Sequence, residues 1–203
     1  GSGPDSRPLA VHGVTILWAM VASACLTLAG IHALVWWRER QAVSNLWFSL
    51  AALGTAGMGA CEYAMMRSAS PADYGEALRW LHVPAWVIIV SLVVFVRLFL
   101  RAGRPWLAWS VCGVRTLSLA LDLVQSPNLN YRTITGLRQV GFLGDTVSIA
   151  EGESNPWMLV GQLSLLLLVV FAVDAMMTTW RRGERPRALL VGRADPRGLV
   201  PSV

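Results

Sequence analysis

The chain has 203 residues, of which 55% are hydrophobic and only 14% are charged. Because a soluble globular domain carries about 25% charged residues, this composition argues against a soluble fold. All basic residues are arginine, and they give a formal net charge of +5. They fall between apolar runs rather than on one soluble face, so we interpret them as determinants of membrane topology and expect no nucleic-acid partner.

Five apolar runs are long enough to cross a hydrocarbon core about 30 Å thick, which takes about 20 helical residues. We place these spans at residues 13–37, 42–66, 80–100, 105–124 and 157–180. The second run is the weakest, because it is rich in glycine and alanine and ends with Glu62, so it needs helical neighbours more than lipid. The sequence therefore predicts an all-α integral membrane protein, a bundle of about five transmembrane helices.

Local signals mark the ends of several spans. The segment 70–73 (SPAD) has an N-cap serine, a proline at the first helical position and an acidic residue in the first turn, so it predicts a short helix leading into the third span. Gly103 and Pro105 predict an end and a new start between spans three and four. Asn155 and Pro156 predict the start of the fifth.

Arginine counts predict the orientation. With the N-terminus outside, ten arginines face the cytoplasm and five face the outside. This bias predicts a multi-pass protein of the bacterial inner membrane with residues 1–12 outside and an arginine-rich cytoplasmic tail at 181–203. The cytoplasmic set is Arg38, Arg40, Arg101, Arg104, Arg181, Arg182, Arg185, Arg187, Arg193 and Arg197, and the outer set is Arg7, Arg67, Arg79, Arg132 and Arg138.

The outer loop at 125–156 is too long to be an unstructured connection in a compact protein. Residues 129–134 and 146–149 are rich in β-branched side chains, and Gly136, Gly141 and Gly144 separate them. These features predict a folded extracytoplasmic loop with a small β-hairpin. The loop can serve either as a lid over the helix ends or as an element that faces a ligand.

Four ionisable residues fall near the outer face of the membrane: His12, Glu62, His82 and Asp122. Imidazoles and carboxylates can form a proton-responsive site or a divalent-metal site, since both suit zinc-like ions. The alternative is that each side chain reaches interfacial water independently.

Three further predictions concern polar residues deeper in the membrane. Arg97 and Asp174 fall at similar depth near the inner face and form a candidate buried ion pair with a structural role. Arg115 lies near the middle of span four without a partner at its depth, so it must face protein, a lipid headgroup, a cofactor or a partner chain. His32 is a possible pigment ligand, whereas a haem shared with His82 is disfavoured by a separation of roughly 20 Å along the helices.

From about residue 70 to 190 the sequence resembles the multi-helix N-terminal membrane sensor region of proteobacterial, PAS-containing sensor histidine kinases. The resemblance rests on residues 70–84 (SPADYGEALRWLHVP), 101–109 (RAGRPWLAW), 127–152 (PNLNYRTITGLRQVGFLGDTVSIAEG) and 155–190. The resemblance does not extend to a kinase part, and the C-terminal tail differs from that of the sensor family. The resemblance implies a module that senses a signal in or outside the membrane.

No phosphate-binding glycine loop, nucleophile elbow or HExxH motif is present in the sequence, so we expect a non-catalytic protein. Our leading hypothesis is a sensor-type module for signal transduction. The second is an accessory transmembrane subunit of a larger photosynthetic or respiratory complex, which contributes structural, lipid or pigment contacts. The expected partners are the lipid bilayer and other membrane chains. The sequence requires no cofactor, and a pigment or a divalent metal remains open.

Overall fold

The computed structural model describes residues 13–181. Over this range the chain forms five helices, with two strands between the fourth and the fifth. The elements are α1 (Gly13–Arg38), α2 (Val43–Met66), α3 (Pro71–Leu100), α4 (Pro105–Val124), β1 (Tyr131–Phe142), β2 (Asp145–Ser154) and α5 (Met158–Arg181). The prediction of a mostly helical protein with a small β-hairpin is confirmed, and the extracytoplasmic location of the hairpin stays a prediction. His12 and the two predicted terminal segments, apart from Arg181, lie outside the described residues.

Four of the described helices are long and apolar enough to cross a membrane: α1, α3, α4 and α5. This finding supports a membrane-embedded protein. The second helix has 24 residues, which matches the length of a span, but it is not among these four candidate spans. A five-span topology therefore stays a prediction.

The second helix packs between α1 and α3, in agreement with its content of small residues. A Cβ added at Gly54 would lie 2.8 Å from Cγ1 of Ile88 and 3.1 Å from the carbonyl oxygen of Pro84. Only glycine permits this approach of the α2 and α3 backbones. The position of α2 thus depends on close helix contact as well as on its apolar surface.

The third helix is one continuous element of 30 residues, which corrects the prediction of a short helix followed by a span at 80–100. Ser70 caps its start, because the side-chain oxygen of Ser70 accepts a hydrogen bond from the backbone N–H of Asp73. At helical rise this element is about 45 Å long, more than the thickness of a hydrocarbon core. Its first turns therefore reach beyond the core toward the hairpin.

The two strands pair antiparallel, with Val140 opposite Val147 and Phe142 opposite Asp145. The turn uses Leu143 and Gly144, both with positive φ (51° and 81°), the conformation that suits a two-residue hairpin turn. The predicted hairpin is confirmed, but it is longer than predicted: Gly136 and Gly141 lie inside β1 rather than between strands. A register shift next to Gly136 accommodates one of them.

The hairpin covers one end of the helix bundle, which we call the outer end. The hydroxyl of Ser148 donates a hydrogen bond of 2.7 Å to the carbonyl oxygen of Ser68, after α2. At the turn, the carboxylate of Asp145 accepts a hydrogen bond of 3.2 Å from the backbone N–H of Val14, at the start of α1. The hairpin therefore contacts the outer ends of helices that belong to different parts of the chain.

An apolar core cluster lies between α3, α4 and α5, nearer the opposite end, which we call the inner end. Its buried members are Ile89, Val93, Leu107, Ala108, Val111 and Phe171. Beyond this core toward the hairpin, the contact between α3 and α4 becomes polar.

Candidate functional site

The structure brings together two of the four residues predicted to form an outer cluster. His82 on α3 is 5% exposed, Asp122 on α4 is fully buried, and the His82 Nδ1 atom lies 3.6 Å from Asp122 Oδ1. Glu62, on α2, makes no hydrogen bond or ion pair with either of them. Within residues 13–181 no three His, Cys, Asp or Glu residues are arranged to hold a metal ion. His12, as noted, lies outside this range.

Asp122 connects α4 to the loop that leads into the hairpin. Its Oδ1 atom accepts a hydrogen bond of 2.8 Å from the backbone N–H of Leu129, and Leu129 is itself fully buried. The positive charges of Arg79 and Arg115 also act on the Asp122 carboxylate. Asp122 is therefore shared between the helices and the extramembrane loop.

Arg115, the unexplained charge at mid-membrane, faces the protein interior and is only 6% exposed. It lies two turns before Asp122 on α4, and Ser118 lies between them on the same helical face. Gly161 on α5 leaves room for this face: a Cβ there would lie 3.3 Å from Ser118 Oγ and 3.8 Å from Arg115 Nη1. We call Arg115, Ser118, Asp122, His82 and Asn128 the polar column.

Four buried side-chain atoms of the polar column have no hydrogen-bond partner among the described residues: Arg115 Nε, Ser118 Oγ, Asp122 Oδ2 and Asn128 Nδ2. A buried polar atom without a partner costs about 1–3 kcal/mol, so their concentration in one place requires a functional or structural account. Together they offer donors and one carboxylate acceptor to a small polar molecule or to water.

The loop above the column is fixed by its own hydrogen bonds. Asn128 Oδ1 accepts from the backbone N–H groups of Asn130 (3.0 Å) and Tyr131 (2.9 Å). Asn155 Nδ2, just before α5, donates to Gln125 Oε1 at 2.8 Å, just after α4. The two ends of the outer loop are therefore held together directly above the column.

An open groove of about 650 Å³ lies beside the column at the outer end. A Cβ added at Gly75, which lines this groove, would lie 3.6 Å from Asn128 Nδ2. The absence of a side chain at Gly75 thus brings the groove close to an unpaired donor of the column. The lining residues include Glu76, Arg79, Trp80, Leu123, Pro127 and Ile134.

The predicted ion pair between Arg97 and Asp174 is wrong. Asp174 instead accepts a hydrogen bond of 2.9 Å from the backbone N–H of Arg104, and its Oδ1 lies 3.5 Å from Arg104 Nε. The reason is the packing of α5 against α4, which turns Asp174 toward the start of α4. The Arg104 side chain is 68% exposed, so the actual pair is a surface contact at the inner end.

His32, the possible pigment ligand, lies between α1 and α2. Its Nδ1 atom is 2.8 Å from Asn45 Oδ1, and its ring packs against Phe48 with centroids 4.2 Å apart. These contacts give His32 a structural role in joining the two helices. A pigment bound to His32 stays a prediction.

Two members of the polar column, Ser118 and Asn128, were not predicted from the sequence. Ser118 had a recognisable signal, because it lies three residues after Arg115 and four before Asp122, on the same helical face. Asn128 had a weaker one, since asparagine before a strand commonly bonds to the backbone of a turn.

In comparisons with known proteins, no protein-family model, no curated protein and no solved structure matches this chain. The fold and the site define a helical membrane protein whose outer end carries a hairpin above a buried polar column.

Proposed function

We propose that this chain is a non-catalytic, sensor-type membrane module for signal transduction, oriented with the hairpin outside the cytoplasm. The observation that carries the proposal is the position of Asp122. Its carboxylate bonds to the loop of the hairpin, faces His82 on α3 and belongs to a helix whose opposite end contacts α5. A change at the outer loop can therefore act on α4 directly.

A sensor needs two states that differ in free energy. The unpaired atoms of the polar column provide such a difference, because they can be either without a partner or paired. A ligand or a new loop position that gives Arg115, Ser118 or Asn128 a partner stabilises the arrangement in which that partner is present. A shift of α4 then changes the contact between Arg104 and Asp174 at the inner end. At 20 residues, α4 is about 30 Å long and links the two ends as one helix.

Distance measurements between spin labels test this coupling. Cys25, Cys61 and Cys112 are replaced by serine or alanine, and labels are attached at Trp106 on α4 and Val43 on α2, both near the inner end. The distance distribution is measured by pulsed electron paramagnetic resonance on full-length protein in lipid nanodiscs. We expect Asp122→Asn, which removes the negative charge that faces His82 and Arg115, to shift or broaden the distribution.

The matched control is Asp73→Asn. Asp73 also lies at the outer end, but it is exposed and bonds locally to Ser70. This variant should leave the inner distance unchanged. An unchanged distance in Asp122→Asn, with a folded protein, would contradict the proposed signalling role.

A second function is an accessory transmembrane subunit of a larger photosynthetic or respiratory complex. The first helix favours it, because only Val14 and Ala29 are buried in its 26 residues. The remaining apolar surface can contact lipid or another membrane chain. Purification in a mild detergent tests this alternative: a stoichiometric partner chain with bound pigment would support it and displace the sensor proposal.

A further inference from the structure

The turn of the hairpin presents two bulky apolar side chains at the surface. Phe142, the last residue of β1, is 46% exposed, and Leu143, in the turn, is 56% exposed. We call Phe142, Leu143 and Gly144 the hairpin tip. Single apolar residues are common on protein surfaces, but a contiguous apolar patch marks an interaction site. The tip is therefore a candidate contact surface.

The first position of the turn is an unusual place for leucine. Leu143 and Gly144 both have positive φ (51° and 81°). Two-residue turns of this kind favour asparagine or glycine at the first position, because the Cβ of other residues crowds the following carbonyl oxygen. Leucine is thus disfavoured here by the backbone, and its exposed side chain is disfavoured by water. An apolar contact for this side chain would offset both.

The tip is fixed against the start of α1. A Cβ added at Gly13 would lie 2.6 Å from the carbonyl oxygen of Leu143 and 3.3 Å from its Cβ atom, so only glycine permits this contact. The carboxylate of Asp145, which follows the tip, accepts a hydrogen bond from the backbone N–H of Val14. The depth of the tip in a membrane is therefore set by the depth of Gly13.

The length of α1 places Gly13 in the interfacial layer of a bilayer. This candidate span has 26 residues and is about 39 Å long at helical rise. A bilayer is about 30 Å thick in its hydrocarbon core and about 40–45 Å thick with its headgroup layers. Trp36 and Trp37 lie near the other end of α1, as is typical of residues at the opposite interface. Gly13 and the hairpin tip then lie where headgroups meet acyl chains.

The face of α1 that continues from the tip is apolar and exposed. Ile16, Leu17 and Met20 are all exposed, and they follow Gly13 by three, four and seven residues. Residues at these spacings share one helix face. Because α1 is apolar enough to cross a membrane, this face suits contact with acyl chains. The hairpin tip extends the same apolar surface beyond the start of the helix.

We propose that the hairpin tip inserts Phe142 and Leu143 into the interfacial layer of the lipid bilayer beside α1. The partner is the lipid surface itself, at the level of the glycerol groups and the first acyl carbons, and not a particular headgroup. Burial of the two side chains in this layer removes apolar area from water. The proposal does not depend on the sensor function, because it requires only that α1 spans a membrane.

Depth measurements by electron paramagnetic resonance test the proposal. The three native cysteines of the full chain are replaced by alanine, one spin label is attached at Leu143→Cys, and the protein is reconstituted in liposomes of phosphatidylethanolamine and phosphatidylglycerol. Power saturation compares collisions of the label with oxygen, which concentrates among acyl chains, and with a nickel chelate, which stays in water. We expect the ratio of oxygen to nickel-chelate collisions to be that of a lipid-exposed site.

The matched control carries the label at Ile149→Cys. Ile149 is also an exposed apolar residue of the hairpin. Ser148 before it bonds to Ser68, so Ile149 lies on the opposite face, away from the helix ends. The collision ratio should be higher at Leu143 than at Ile149, and equal ratios would overturn the proposal. Low accessibility of the Leu143 site to both agents would show that protein, such as a second copy of the chain, covers the tip, and would also overturn it.

A second experiment leaves both apolar side chains of the tip in place. The label is attached at Gly141→Cys, where no atom beyond its chain neighbours lies within 4 Å of the Cβ position. Nickel-chelate accessibility is compared between the native tip and the combined variant Phe142→Ser and Leu143→Asn. Asparagine suits the turn, so the hairpin should stay folded, with an unchanged thermal transition, while accessibility rises. An accessibility that does not rise in the folded variant would overturn the proposal.

Discussion

The two ends of the bundle differ in how far their acidic side chains are buried. At the outer end the hairpin covers the helix ends, and Asp122 is fully buried between α3, α4 and the loop. At the inner end Asp174 contacts an exposed arginine, Arg104. A buried carboxylate must be matched by its surroundings, whereas an exposed one contributes little, so two aspartates in one chain should differ greatly in their effect on stability.

The largest effect is expected for Asp122→Ala. This change removes the acceptor for the Leu129 N–H and the nearest negative charge to the buried Arg115. Leaving the buried Leu129 N–H without its acceptor costs about 1–3 kcal/mol, and the loss of the negative charge that acts on the buried Arg115 adds to this cost. Equilibrium unfolding in mixed micelles measures the loss, and the hairpin should become protease-sensitive.

The conservative variant Asp122→Asn separates the two contributions at this position. It keeps an oxygen that can accept from Leu129, but removes the charge that faces His82 and Arg115. We expect a smaller loss than for alanine. Full stability of both variants would show that the polar column has no part in holding the outer end closed.

A loss of stability of intermediate size is expected for a substitution in the middle of the bundle, at Gly54. Gly54→Ala places a Cβ 2.8 Å from Ile88 and 3.1 Å from the Pro84 carbonyl, so α2 and α3 must move apart, at a cost of about 1–3 kcal/mol. Gly30→Ala on α1 is the control, because nothing lies within 4 Å of its Cβ position. Alanine there should be neutral or slightly stabilising, by up to about 1 kcal/mol. Unfolding measured in the same micelles compares them, and equal stability of the two variants would contradict the close packing of α2.

The sequence predicted the depth of each polar residue along its helix, but it did not predict which neighbour each helix face contacts. The bounds of α4 agree with the prediction because Pro105 starts the helix and the polar loop begins at Gln125. His82 and Asp122 were predicted at one depth, and they meet because α3 and α4 are neighbours. Glu62 was predicted at the same depth and lies on α2, which also packs against α3, yet it is not part of the polar column, so depth alone does not decide which residues meet.

The same limit explains the error at the inner end. Arg97 and Arg104 both lie near the depth of Asp174, and only the packing of α5 against α4 selects Arg104. Because α1 and α5 are apolar almost all round, they carry no periodic polar face that would reveal their neighbours. Helix rotation must therefore come from tertiary contacts, which one sequence does not contain.

The smallest effect is expected for Asp174→Ala, which sharpens the comparison with Asp122. The contact between Asp174 and Arg104 joins an exposed guanidinium to a partly exposed carboxylate, and such pairs contribute about 0–1 kcal/mol. The carboxylate also accepts the backbone N–H of Arg104 at the start of α4, so a small loss is expected rather than none. Unfolding under the conditions used for Asp122→Ala measures it. A loss as large as that of Asp122→Ala would mean that the inner end is held as tightly as the outer one, and the contrast between the two ends would then be wrong.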